Sequence, residues 1–171
     1  AKTMYLCILD DGGQVLLHRN LPSSPEAFLE AVAPFREDLV VAAACIFPWY
    51  WLADLCARED LWYHVDAAYG GGAVFAEALR PLLDGIGRAD SITFDPHKWL
   101  SVPLAAAVLL VRDPARLRAS FSIHAAYVQE TAERTGRGEN FGEESQAWSR
   151  GFSALKIWAS LAGHGTDAYD R

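Results

Sequence analysis

Two short apolar runs that each stop on a charged residue constrain the fold of this chain more than anything else in it. Leu61-Trp62-Tyr63-His64-Val65 is rich in strand formers and leads into Asp66, with Ala67-Ala68-Tyr69 and three glycines, Gly70 to Gly72, behind it. Ile92-Thr93-Phe94 is a second such run. Asp95-Pro96 turns the chain out of it, and His97, Lys98 and Trp99 follow. Buried strands interleaved with helical stretches predict an open α/β sheet, in which ligand groups gather at the carboxyl ends of strands. Asp66 and Lys98 both fall at such ends. Read alone, Asp66 also suits the N-cap of a helix after a strand, and His97 suits an exposed turn.

The remaining elements follow from local pattern. Residues 3–9 read as a strand, Asp10-Asp11-Gly12-Gly13 as a tight turn, and residues 14–18 as the returning strand of a hairpin. Ser24-Pro25-Glu26 starts a helix, with Ser24 as N-cap and Pro25 at the first helical position. Phe28, Leu29, Val32 and Phe35 recur at helical spacing. Leu39 to Phe47 reads as an apolar strand, and Pro48 to Arg58 as a helix with Trp51, Leu52 and Leu55 on one face. Phe75 to Ile86 reads as a helix interrupted by Pro81, and Pro103 to Val111 as a strand. Phe152, Leu155, Trp158 and Leu161 predict a core-facing helix that ends at Gly163-His164-Gly165. The three glycines after Asp66 lack the spacing of a phosphate-binding fingerprint and serve close packing instead.

Composition narrows the function classes. Of the 171 residues, 51% are hydrophobic and 22% charged, the balance of a folded domain. A net charge of −7 favours neither nucleic acid nor an anionic membrane as partner. The longest apolar run, Val102 to Val111, is too short to span a bilayer. Cys7, Cys45 and Cys56 have no metal-site spacing and are expected to be buried, reduced thiols, which with the missing signal peptide implies a cytoplasmic protein.

A lysine amine able to form a Schiff base, with an acid able to hold a pyridinium nitrogen, is what pyridoxal phosphate (PLP) asks of a protein. The stretches Tyr63-His64-Val65-Asp66-Ala67-Ala68-Tyr69-Gly70-Gly71 and Ser91 to Trp99 together resemble the group II PLP-dependent amino-acid decarboxylases, the family of the aromatic-amino-acid and glutamate decarboxylases. The resemblance covers roughly residues 60–171 and implies the central part of a fold type I large domain, α/β in class. It implies that Lys98 is the Schiff-base lysine and that Asp66 pairs with the ring nitrogen. By the same resemblance Ala68 packs under the ring and His97 lies near the cofactor phosphate. It also implies an amino-acid substrate, release of carbon dioxide and a homodimer. Lys98 is the only lysine between Lys2 and Lys156.

In that family a mobile loop carries a catalytic tyrosine. Tyr127 lies early for the role, and Phe141 stands where the tyrosine is expected, a change linked to oxidative deamination in place of decarboxylation. Arg150 is read equally as structural or as an anion contact. The family's phosphate cup and ring-stacking histidine come from an upstream portion that the matched stretch does not include. Weak or absent turnover is therefore expected from what reads as a truncated decarboxylase or inactive fragment.

Residues 1–59 read differently. Their strand–strand–helix–strand–helix order is that of a ribonuclease-H-like ββαβα segment, and their wording resembles the N-terminus of IS110-type transposases. Those enzymes hold magnesium with carboxylates, and here the glutamate position falls on Ala44, so no metal site is expected. Asp10 and Asp11 read as turn residues, not replacement ligands. A fusion joined near Leu52 to Asp60 is the expected organisation.

Overall fold

The computed structural model describes residues 2–44, 50–121, 144–145 and 151–170. A hairpin opens the chain. β1 (Thr3–Leu9) pairs antiparallel with β2 (Val15–Pro22). Its turn is closed by Asp10, whose carboxylate accepts the Gln14 N–H at 2.8 Å and whose carbonyl accepts the Gly13 N–H at 2.9 Å, with Gly13 at φ 78°. Asp10 thus has a turn role, as its sequence setting predicts. The returning strand runs to Pro22, four residues beyond the sequence expectation.

Helix α1 (Pro25–Val32) begins where its capping residues place it. Ser24 is extended, its hydroxyl accepts the Ala27 N–H at 3.3 Å, and Pro25 occupies the first turn. Phe28 and Val32 are buried on its inner face. Next come β3 (Val40–Ala44), α2 (Tyr50–Arg58) and β4 (Trp62–Asp66), a parallel β–α–β unit with β3 and β4 in direct register. The expected strand end and helix start at residues 45–49, with Cys45, lie outside the described residues. Leu52, Leu55 and Cys56 of α2 are buried, while Trp51 is half-buried with its ring edge-on to Phe28. β5 (Ser91–Phe94) adds parallel to β4, and β6 (Val108–Val111) closes the sheet antiparallel to β5, giving the order β3-β4-β5-β6.

The ββαβα order of the first segment is present, but its strands do not share a sheet. The hairpin is a two-stranded sheet by itself, and β3 pairs with β4. One apolar cluster nevertheless ties them together. Met4 and Ile8 of the hairpin, Phe28 and Val32 of α1, Leu52, Leu55 and Cys56 of α2, and Val41, Tyr63 and Val65 of the sheet pack as one core. That core covers one face of the sheet. The alternate residues leave the other face open, with Val40 and Leu109 exposed and Trp62 and His64 half-buried. Arg36, beyond α1, forms an ion pair with Glu59 at the end of α2, and that hydrogen bond holds the Glu59 carboxyl below its usual range.

Three elements depart from expectation. Residues 75–86 form no α-helix; short 3₁₀ turns at Gly70–Phe75, Arg80–Leu83 and Ile86–Arg88 carry the chain from β4 to β5. Pro81 lacks a helix donor and Gly85 sits at φ 84°, so the helical ladder cannot run through them. The strand expected over 103–111 is confined to β6, because Pro103 cannot donate to a ladder and the carbonyls of residues 103–105 accept from Lys156 Nζ at 3.0–3.2 Å. Finally, α3 (Pro114–Phe121) precedes a helix α4 (Ser153–His164) whose apolar stripe is not core: Phe152 is 74% and Trp158 66% exposed. Ile157 instead packs against the small cluster of Leu100, Val102 and Ala106. Gly165, at φ 70°, ends α4 as expected.

Cys7 is exposed on the outer face of the hairpin, which corrects the expectation of a buried thiol there, and Cys56 is buried. Burial and the nearby Asp90 carboxylate push the Cys56 thiol up to about 11. The folded state therefore keeps a proton that the unfolded chain releases earlier, and this stabilisation is full below about pH 9 and lost as pH rises to about 11. In urea titrations across that window, Cys56→Ala should reduce the fall in stability. Thiol labelling at pH 8 should modify Cys7 and spare Cys56.

Candidate active site

The site grows from the register of β4 and β5. Asp66, the last residue of β4, pairs with Thr93 of β5, and the Ala67 N–H extends the ladder by donating to the Thr93 carbonyl at 3.0 Å. Both strands are parallel, so their carboxyl ends lie at one edge of the sheet. Asp66 is exposed there. Its Oδ1 accepts the Ala68 N–H at 3.0 Å in an Asx turn; it caps no helix, because the 3₁₀ turn that follows starts at Gly70 with Tyr69 as its N-cap. No other hydrogen bond to the Asp66 carboxylate is made among the described residues, so one oxygen is available. Ala68 is half-buried beside it.

β5 ends at Phe94, and Asp95 to Lys98 form a turn closed by the Lys98 N–H to the Asp95 carbonyl at 3.0 Å. The Lys98 ammonium reaches back to Asp95 Oδ2 at 2.9 Å. Asp95 is 13% exposed in its side chain and Lys98 36%, so the acid is held in the fold while the amine remains accessible. His97 is half-buried. Its Nδ1 lies against the Ala106 carbonyl, and its Nε2 is 4.0 Å from Asp95 Oδ2. The loop of residues 101–107 therefore braces the histidine next to Lys98, with Pro96 fully buried beneath the turn.

Glycines draw the two edge loops together. A Cβ on Gly71 would lie 2.8 Å from the Phe94 ring, and one on Gly72 would lie 2.8 Å from Trp99 Cβ. The Tyr69 and Trp99 rings meet edge-on at 5.6 Å between centroids. The loop after Asp66 is thus seated on the segment that carries Lys98. The structure brings Asp66, Ala68, His97 and Lys98 to one edge of one sheet. Tyr127, Phe141 and Arg150 lie outside the described residues.

Sequence reasoning missed two sets of residues here. Asp95 is the ion partner of Lys98, and its place three residues before the lysine is the signal that could have found it. A polar row on the open sheet face, Trp62, Ser91, His64 and Thr93, leads to the same edge. Trp62 Nε1 donates to Ser91 Oγ at 3.0 Å, Ser91 Oγ is 2.8 Å from His64 Nδ1, and His64 Nε2 is 3.1 Å from Thr93 Oγ1. Strand alternation places these residues on one face, but the bonds depend on register between strands far apart in the chain.

The donor set fits the two ends of a pyridoxal ring. A carboxylate with an unused oxygen suits a protonated ring nitrogen, and an accessible primary amine suits an aldehyde. The comparisons with known proteins agree. The "Pyridoxal-dependent decarboxylase conserved domain" matches residues 43–171. The chain belongs to the pyridoxal-dependent decarboxylase family. It is 41% identical to the aromatic-L-amino-acid decarboxylase of Bacillus atrophaeus over 118 residues, 69% of this chain and 25% of that protein. Among solved structures, it matches Oryza sativa TDC with PLP and tryptamine at a TM-score of 0.74 and 32% identity, covering 86% of this chain and 32% of that one. Mouse CSAD in apo form matches at 0.71 and 27% identity, over 95% of this chain and 34% of that one. The chain thus spans about a quarter of its curated relative and a third of these structures.

These matches bear out the decarboxylase resemblance and lend nothing to the transposase-like reading of residues 1–59. The family match begins at residue 43, upstream of the expected join. The match to mouse CSAD leaves out only about a twentieth of the chain, so it takes in most of the first segment as well. Among the described residues no helix is long and apolar enough to cross a membrane.

The close seating of the two loops is testable. Gly72→Ala should force Trp99 to move, lower stability by about 1–3 kcal/mol and speed amide hydrogen exchange at Lys98. Gly70→Ala, which meets nothing within 4 Å, should stay within about 0.5 kcal/mol of the parent.

Proposed function

We propose that this chain carries the cofactor-holding core of a PLP-dependent carboxy-lyase acting on an amino acid. The observation that carries the reading is the placement of Asp66 and Lys98 at the carboxyl ends of neighbouring parallel strands, with their loops in contact. Bound PLP supplies the electron sink that loss of a carboxylate as carbon dioxide requires. The protein's part is to hold and orient. Lys98 presents its amine to the aldehyde carbon, and Asp95 keeps that amine at the sheet edge before the cofactor arrives. Asp66 meets the ring nitrogen with the oxygen that Ala68 N–H does not use. The small side chain of Ala68 leaves room for the ring face. His97, braced by Ala106 beside Lys98, would contact the cofactor phosphate.

Within this reading, the decarboxylase portion begins at β3 and not at residue 60, because β3 is a strand of the same sheet. The substrate is an amino acid, and the working unit is a homodimer of the longer protein. The apolar side chains exposed on α4 support an assembly larger than this chain. Turnover by these residues alone is expected to be weak.

Addition of PLP followed by borohydride reduction and peptide mapping tests the assignment. Label should appear at Lys98 with a visible absorption band before reduction, and both should vanish in Lys98→Ala. Asp66→Ala should keep the covalent attachment but weaken PLP binding by about tenfold or more, the loss of one charge-assisted pair. Label spread over Lys2 and Lys156 as well as Lys98 would overturn the reading.

A further inference from the structure

The polar row beneath the site has only one satisfactory arrangement of its protons. Trp62 Nε1 can only donate, so Ser91 Oγ accepts from it. Ser91 is buried, and its one other side-chain partner among the described residues is His64 Nδ1 at 2.8 Å. If His64 carried its hydrogen on Nδ1, Ser91 would accept twice, and its own buried proton would have no acceptor. That fault costs about 1–3 kcal/mol. With the hydrogen on Nε2, Ser91 donates to Nδ1 and His64 donates to Thr93 Oγ1 at 3.1 Å, so every buried group is satisfied. The Thr93 hydroxyl, already accepting from His64, must send its own proton elsewhere. The residue paired with Thr93 across the ladder is Asp66, and the two side chains make no hydrogen bond to each other in this structure.

We propose that His64 is a positioning residue: held as the Nε2–H tautomer by Ser91 and Trp62, it keeps the Thr93 hydroxyl proton free at the strand edge, where it can turn to the Asp66 carboxylate when a cofactor is held. The role rests on the reading of Asp66 as the ring-nitrogen partner. A hydroxyl proton available there would steady the carboxylate once its second oxygen is drawn to the cofactor, while the first stays on Ala68 N–H. The row has a direction. Reversing it would give the edge an acceptor facing a carboxylate, two groups that repel.

The tautomer can be read without cofactor. Long-range proton–nitrogen spectra of the ¹⁵N-labelled chain near pH 8, with His64 assigned from its loss in His64→Gln, should show neutral His64 protonated on Nε2. Ser91→Ala should shift His64 toward the Nδ1–H form; Trp62→Phe, which frees Ser91 to accept from His64, is the second variant if Ser91→Ala does not fold. An Nδ1–H tautomer in the parent, or no shift in the folded variant, overturns the row. With PLP, Thr93→Val should weaken binding about tenfold, and Thr93→Ser should restore it, since a single hydrogen bond to a charged group is at stake. Unchanged affinity in Thr93→Val overturns the link to Asp66. Failure of the parent to bind PLP at Lys98 overturns the functional reading instead, and it leaves the tautomer result standing by itself.

Discussion

The parallel pairing of β4 with β5 is the constraint on which the rest of the site depends. Three register pairs, His64 with Ser91, Val65 with Ile92 and Asp66 with Thr93, set the height at which each strand stops. Because side chains alternate across a strand, a slip by one residue would bury Asp66 against the core and turn Val65 to the open face. The core resists such a slip: Tyr63 and Val65 pack with Leu55 and Cys56 of α2 on one side of the sheet. Hydrophobic burial on one face thus fixes the position of polar chemistry on the other. A carboxylate and an amine far apart in sequence come to the same edge of the sheet, one at the end of β4 and the other on the turn that follows β5.

How much of this was legible in the sequence depended on the range of the interaction. Ser24 and Pro25 marked a helix start because capping is settled within four residues. Asp66 and Lys98 were legible because each ends a strand-forming run, and strand ends are where an open sheet keeps its ligand groups. Gly71 and Gly72 could be read as packing glycines, although their partners, Phe94 and Trp99, appear only in the fold. Asp95 reads only as part of a turn, since nothing local says that a lysine folds back onto it. The bonds of His64 were beyond sequence reasoning, because they need the register of two strands separated by three 3₁₀ turns.

The misreadings share a physical cause. Val102 to Val111 is apolar throughout, and an apolar run predicts a strand, yet its first half gives its carbonyls to a lysine from another element. Phe152, Leu155 and Trp158 have helical spacing and do lie on or beside a helix, but spacing says only that a face is apolar, not that this chain covers it. Both faces of a parallel sheet are normally covered. Here the face bearing Val40, Trp62 and Leu109 is open, as is the outer stripe of α4. These surfaces are consistent with a chain that spans a third of the structures it matches.

The Lys156 ammonium has a bearing on the site that its distance along the chain hides. It meets the carbonyls of Pro103, Leu104 and Ala105 at once, while Ala106, the next residue, braces His97. A compact cation with three donors suits three convergent acceptors; the flat fork of an arginine does not. One charge on α4 therefore acts as a pin through the bend that supports the histidine, so any fraying at the start of that helix is felt next to Lys98.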